Sequence, residues 1–137
     1  MLLLDANVLI ALGDGNHIFH QRASRWFASI QGTAWATCPL VQNAFIRTIG
    51  ASNYPDFPGG TNEAKAVLQQ ICRRPGHQFW PDSLTLCDYA ALPGARHLTD
   101  FYLLALAIHH RARFATLDRR IDPTQIPGGE NAYCVIP

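Results

Sequence analysis

Three aspartates stand where a carboxylate can do chemistry. Asp5 ends the apolar run Leu2-Leu3-Leu4, Asp118 follows a run ending at Thr116, and Asp100 opens an apolar helical segment. In an open α/β sheet, ligands bind outside the carboxyl ends of the strands. Asp5 and Asp118 are therefore expected on one edge, and the start of the Asp100 helix can face it. Three carboxylates brought together repel one another unless a cation lies between them. An all-oxygen ligand set suits Mg2+ or Mn2+. A hard cation held there polarises a phosphate and activates a water for in-line attack. The constellation predicts metal-dependent phosphodiester hydrolysis, on condition that the three converge. Singly, each has a plainer use. Asp5 and Asp100 suit a helix's first turn, where the dipole favours a carboxylate, and Asp118 suits a turn before Arg119-Arg120.

The elements that must position these residues alternate along the chain. Leu2-Leu3-Leu4 reads as a fully buried strand, and a helix can begin at Asp5 and stop at Gly13 and Gly15. Ala23, Trp26, Phe27 and Ile30 repeat at i, i+3, i+4, i+7, which predicts an amphipathic helix over 17–30. A strand over 34–37 follows, then a helix from Pro39 to Gly50, a loop over 51–60, and a helix capped by Thr61. Gln78-Phe79-Trp80 reads as a strand, and Asp82 or Ser83 as the cap of a short helix to Ala91. Thr99 reads as the N-cap of a helix from Asp100 to Arg111 that is apolar almost all round. Arg113–Thr116 is a strand, 123–131 a loop, and 133–136 a last strand. Strands alternating with helices imply a three-layer α/β/α domain over 1–137 with a short, mostly parallel central sheet.

Composition narrows the function classes. Eleven bases against ten acids leave a net charge of +1, which excludes a polycationic or acidic tail. At 48% hydrophobic and 15% charged, the chain is too apolar to be disordered. No apolar run approaches the ~20 residues needed to span a bilayer, and the N-terminal stretch has Asp5 in its middle and no basic start. Cys38, Cys72, Cys87 and Cys134 lie far apart with no zinc spacing, so they read as free thiols in a reducing cytoplasm. His109-His110 form a poor chelate, because adjacent helical residues point about 100° apart. His17 and His20 share a helix face but lack a third ligand. Other small α/β classes fit poorly. A receiver domain needs a late lysine, and the only lysine is Lys65. A haloacid-dehalogenase-type phosphatase needs an acid where Asn7 stands, and a dinucleotide-binding module needs a Gly-rich turn after the first strand.

Four segments in order resemble the PIN-domain ribonucleases: LLLDANVLIAL, TCPLVQNAFIR, HLTDFYLLALA and ATLDRRI. The helix HIFHQRASRWF is also similar to that of VapC toxins from bacterial toxin–antitoxin pairs. The resemblance implies Asp5 and Asp100 as principal Mg2+ ligands and Asp118 as a further acid, binding metal directly or through water. It implies that Thr116 hydrogen-bonds near the site and that Asn7 orders the loop after Asp5. Gln42 departs from the family, which usually has Glu there. Three carboxylates instead of four favour one tight metal site, and leave open a second reading: a PIN domain that binds RNA or its antitoxin without cutting. The resemblance further implies an endoribonuclease toxin acting on structured RNA (tRNA or ribosomal RNA), a VapB-type antitoxin and a homodimer.

A net charge of +1 gives no global attraction to phosphate. Local arginines must supply it, since guanidinium makes bidentate phosphate contacts. Arg47, Arg96, Arg119 and Arg120 are the candidates for the proposed edge, while His97 reads as a surface loop residue. Trp26, Trp35 and Phe45 fall on apolar faces and are expected in the core.

Overall fold

A computed structural model of the chain describes residues 1–137. Five short strands form one sheet: β1 (Leu2–Leu4), β2 (Trp35–Thr37), β3 (His77–Phe79), β4 (Arg113–Thr116) and β5 (Tyr133–Val135). The spatial order is β3-β2-β1-β4-β5, and every pair is parallel. A central parallel strand is covered on both faces, which is why β1 is an unbroken run of leucines, all buried. Six helices connect the strands: α1 (Ala6–Gly13), α2 (His20–Ser29), α3 (Pro39–Ile49), α4 (Thr61–Cys72), α5 (Leu98–His109) and α6 (Gly129–Ala132).

Right-handed crossovers then decide the layers. The chain steps from β1 to β2 to β3 in one direction, and returns past β1 to reach β4 and β5. The first leg places α1–α4 on one face, where α1 packs on α2, α3 and α4. The return leg places α5 and α6 on the other, with α5 against β4, β1 and α6. Seven consecutive residues of α5, Phe101 to Ala107, are buried, because the sheet covers one side of the helix and the 80–97 loop reaches over another. Trp35, Phe45 and Phe114 are the largest fully enclosed side chains. No helix is long and apolar enough to cross a membrane.

Several local expectations give way to tertiary contacts. No helix forms over 82–91; the segment holds only a 3-10 turn at Leu86–Asp88, capped by the Thr85 hydroxyl. Its half-buried Leu84, Leu86 and Tyr89 pack against the core instead. The Leu84 N–H donates to the Tyr102 hydroxyl, and Tyr89 meets Phe101 edge-on at 5.2 Å. Thr99 is not a cap: a 3-10 turn at Ala95–His97 runs straight into α5, so the chain is already helical at Leu98. Thr61 is likewise the first helical residue, and Glu63 reaches back to accept from the Gly60 N–H at 2.7 Å. Helix α2 begins at His20, since His17 caps the preceding turn by accepting from the Phe19 N–H. The 123–131 loop contains a 3-10 turn at Pro123–Gln125 and the short α6. A Cβ at Gly129 would sit 2.0 Å from the Pro123 carbonyl oxygen, so only glycine permits that fold-back. β3 starts one residue early, at His77.

Candidate active site at the strand-order reversal

The strand order reverses between β1 and β4, which is where an open parallel sheet leaves a crevice outside its carboxyl edge. Leu4 pairs with Ala115 across this gap, so Asp5 and Thr116 emerge side by side. The Asp5 N–H donates to the Ala115 carbonyl at 2.9 Å. Thr116 is fully buried, and its hydroxyl donates to Asp5 Oδ2 at 2.6 Å. Thr116 Oγ1 in turn accepts from Asn7 Nδ2 and from the Asp118 N–H, each at 3.0 Å. One donor and two acceptor positions are thereby used, which is a hydroxyl's full capacity. Asn7 Oδ1 accepts from the Leu117 N–H at 3.1 Å, so Asn7 ties the start of α1 to the β4 exit with both ends of its amide.

Asp5 occupies the N-cap position of α1 but makes no side-chain cap bond. Asp5 is 7% exposed and its carboxylate has no cationic partner, since Asp118–Arg120 is the chain's one ion pair. Burial pushes the Asp5 carboxyl up to about 6, against the pull of the Thr116 hydrogen bond, and the Asp100 charge adds to the rise. Asp100 lies in the first turn of α5. It too is pushed up, by burial and then by Asp118, while His97 and Arg120 draw it back. Asp118 is the opposite case. Arg120 holds it below the usual carboxylate range by donating Nε to Oδ1 at 3.0 Å and Nη2 to Oδ2 at 3.1 Å. The Asp118 carboxylate also closes a turn by accepting the Arg120 N–H at 2.9 Å, so its plainer structural use is present as well.

Arg96, His97, Asp100, Asp118, Arg120 and Ile121 line a cleft of about 250 Å³. A smaller one, about 80 Å³, shares His97, Asp100 and Arg120 and extends to Asp122 and Gln125. Within the larger cleft Arg96 Nε donates to His97 Nε2 at 3.2 Å. Arg119 is exposed and lines neither cleft. Arg47 stands apart. Helix α3 starts at the carboxyl edge of β2 and runs back, so Arg47 in its last turn lies about 7.5 Å further from that edge than Gln42. Asp14 is also elsewhere, accepting from the Tyr54 hydroxyl.

Gln42 is occupied by a polar chain that no local spacing signals. Its Nε2 donates to Thr37 Oγ1 at 3.0 Å, and that oxygen lies 2.8 Å from His77 Nε2. Burial lowers the His77 pKa, which favours the neutral ring. The Thr37 hydroxyl accepts from the Gln42 amide and has both its proton and a second acceptor position for the neutral ring, so the tautomer of His77 decides which of the two donates. Thr37 and His77 are forty positions apart, so only the β2–β3 pairing brings them together.

The donor set fits a hard divalent cation at Asp5 and Asp100. A buried carboxylate without a positive partner costs free energy, and a cation removes that cost. No three His, Cys, Asp or Glu side chains already stand close enough to hold an ion, and Asp118 is engaged by Arg120.

Residues 2–126 match the family profile described as PIN domain. The chain is 37% identical over 136 residues to Ribonuclease VapC44 of Mycobacterium tuberculosis, spanning 96% of this chain and 95% of that protein. Ribonuclease VapC39 of the same organism is 38% identical over 123 residues, spanning 85% and 87%. The crystal structure of Mycobacterium tuberculosis VapC20, a sarcin–ricin loop cleaving toxin, superposes with a TM-score of 0.62 over 94% of this chain and 95% of that one, at 14% identity. The family match covers β1, α5 and β4, whose ends carry the three aspartates. The chain therefore belongs to the PIN domain family, among its VapC ribonucleases.

Proposed function

We propose that this chain is the toxin of a VapBC-type pair, a Mg2+-dependent endoribonuclease that hydrolyses a phosphodiester bond in a structured RNA, either tRNA or ribosomal RNA. The observation that carries the reading is Asp5: a buried carboxylate at the strand-order reversal, raised by burial and by Asp100, with no cation of the protein's own beside it. Asp5 and Asp100 would hold the metal, and Asp118 would join directly or through water. When bound, Mg2+ supplies a water of lowered pKa and a Lewis acid for the phosphate oxygen. Thr116 fixes the Asp5 carboxylate through its 2.6 Å bond, so the ligand does not have to be ordered at the moment of reaction. With its pKa near 6, Asp5 is mostly ionised at neutral pH and ready to ligate. Arg96 and Arg120 at the cleft, and the exposed Arg119 beside Asp118 in sequence, offer guanidinium groups to the RNA backbone. A VapB-type antitoxin silences the enzyme by covering the same cleft.

Sequencing RNA 5′ ends after expression tests this directly. Discrete new ends are expected with the native chain and not with Asp5→Asn or Asp100→Asn, each of which also relieves growth arrest. A folded Asp100→Asn protein that stays fully toxic overturns the metal mechanism. RNA binding with no Asp5-dependent ends would identify a binder that does not cut.

A further inference from the structure

We infer that Arg120 is a resident counter-ion of the cleft: it holds Asp118 while no metal is bound, and is released toward the substrate phosphate when Asp118 turns to the metal. This rests on the metal-dependent reading above. Both Asp118 oxygens are in use. Oδ1 accepts from the Arg120 N–H and from Arg120 Nε, and Oδ2 accepts from Arg120 Nη2. Three of the carboxylate's roughly four lone-pair sites are thereby filled, and a guanidinium and a metal repel each other at close range. Asp118 therefore joins a metal most readily after the fork opens.

The surroundings suit an exchange. The Asp118 backbone is pinned from two sides, its N–H donating to Thr116 Oγ1 and its carbonyl accepting from the Tyr133 hydroxyl. Thr116 is also the residue that holds Asp5, so Asp118 keeps its place relative to that carboxylate whatever its own side chain does. The Arg120 side chain is the reverse: 85% exposed, with the Asp118 fork as its only hydrogen-bonded hold. One partner is fixed and the other is free to leave. Arg120 also lines both clefts beside Asp100, so a guanidinium let go by Asp118 stays where a phosphate would arrive. Arg119 carries the same charge one residue away but makes no bond to Asp118, and serves as the control.

The test is calorimetric titration of RNA-free protein with Mn2+, which reads the exchange without turnover. Arg120→Ala should bind Mn2+ about three-fold tighter, the scale of an exposed ion pair. Arg119→Ala should match the native protein. Asp118→Asn should bind alike with and without Arg120→Ala, because the contested oxygen charge is gone. In the native protein, Mg2+ should also shift the Arg120 Nε–H resonance toward the position of a solvated guanidinium. Unchanged or weaker Mn2+ binding by Arg120→Ala, an equal gain in Arg119→Ala, or an unmoved Nε–H signal each overturns the inference. A native protein that binds no Mn2+ overturns the metal reading itself, which separates the two failures.

Discussion

Replacing Asp5 by Asn should make the metal-free protein more stable while abolishing its activity. The substitution keeps the side-chain shape, and the amide oxygen can still accept the Thr116 hydroxyl bond that now measures 2.6 Å. What it removes is a buried negative charge. The Asp5 carboxyl rises from 3.8 to about 6 on folding, so the folded state binds the proton more tightly than the unfolded one. A raised carboxyl costs nothing below the unfolded value, where both states are protonated. Its cost grows as pH rises through the window from 3.8 to about 6, and is complete above it. By linkage this amounts to about 1 kcal/mol near pH 4.5 and about 3 kcal/mol near pH 7. For a chain of this length the larger figure corresponds to about 10 °C in Tm. Thermal unfolding followed by circular dichroism in EDTA, at both pH values, reads the effect. Asp5→Asn should unfold at higher temperature near pH 7, with most of the advantage gone near pH 4.5. Adding Mg2+ should then raise the native protein alone, by about 2.7 kcal/mol at a hundred times its Kd. A variant no more stable than the native chain near pH 7, or equally advantaged at both pH values, would refute the assignment of Asp5 as an unpaired buried charge. Stability set aside for activity in this way marks a functional site.

Other outcomes follow from the same geometry. Gln42→Glu should strengthen Mg2+ binding by adding a carboxylate at the edge; calorimetry showing unchanged or weaker affinity counts against it. The same variant cannot donate to Thr37, so the Thr37 proton should turn to the introduced carboxylate and His77 should carry its ring proton on Nε2, visible in ring 15N shifts. Thr116→Val matches the shape but deprives Asp5, Asn7 and the Asp118 N–H of their shared partner. It should cost about 2–3 kcal/mol by denaturant titration, the scale of unsatisfied buried polar groups, and lower Mg2+ affinity; a loss of stability alone would make Thr116 merely structural.

Much of the architecture is written in local pattern. The leucine run of β1, the all-round apolar α5 and the strand–helix alternation point to a buried parallel sheet, because hydrophobic periodicity acts over a few neighbouring residues and needs no knowledge of distant ones. The placement of Asp5 and Asp118 at strand ends is legible for the same reason. Segments whose partners lie elsewhere are not. The 82–91 stretch carries cap residues for a helix, yet its Leu84 and Tyr89 find Tyr102 and Phe101, and those contacts outweigh a weak local preference. Strand order is likewise a property of the whole chain. Only the return of the chain past β1 sets β4 beside it, bringing Thr116 to Asp5 across 111 positions and saturating one hydroxyl with three partners. The Gln42–Thr37–His77 chain depends on β2 pairing with β3 in the same way. Residue types and spacing thus named the carboxylates. Packing decided which of them is buried without a counter-charge and which is held by Arg120, because burial and hydrogen-bond partners arise only when distant segments compete for the same space.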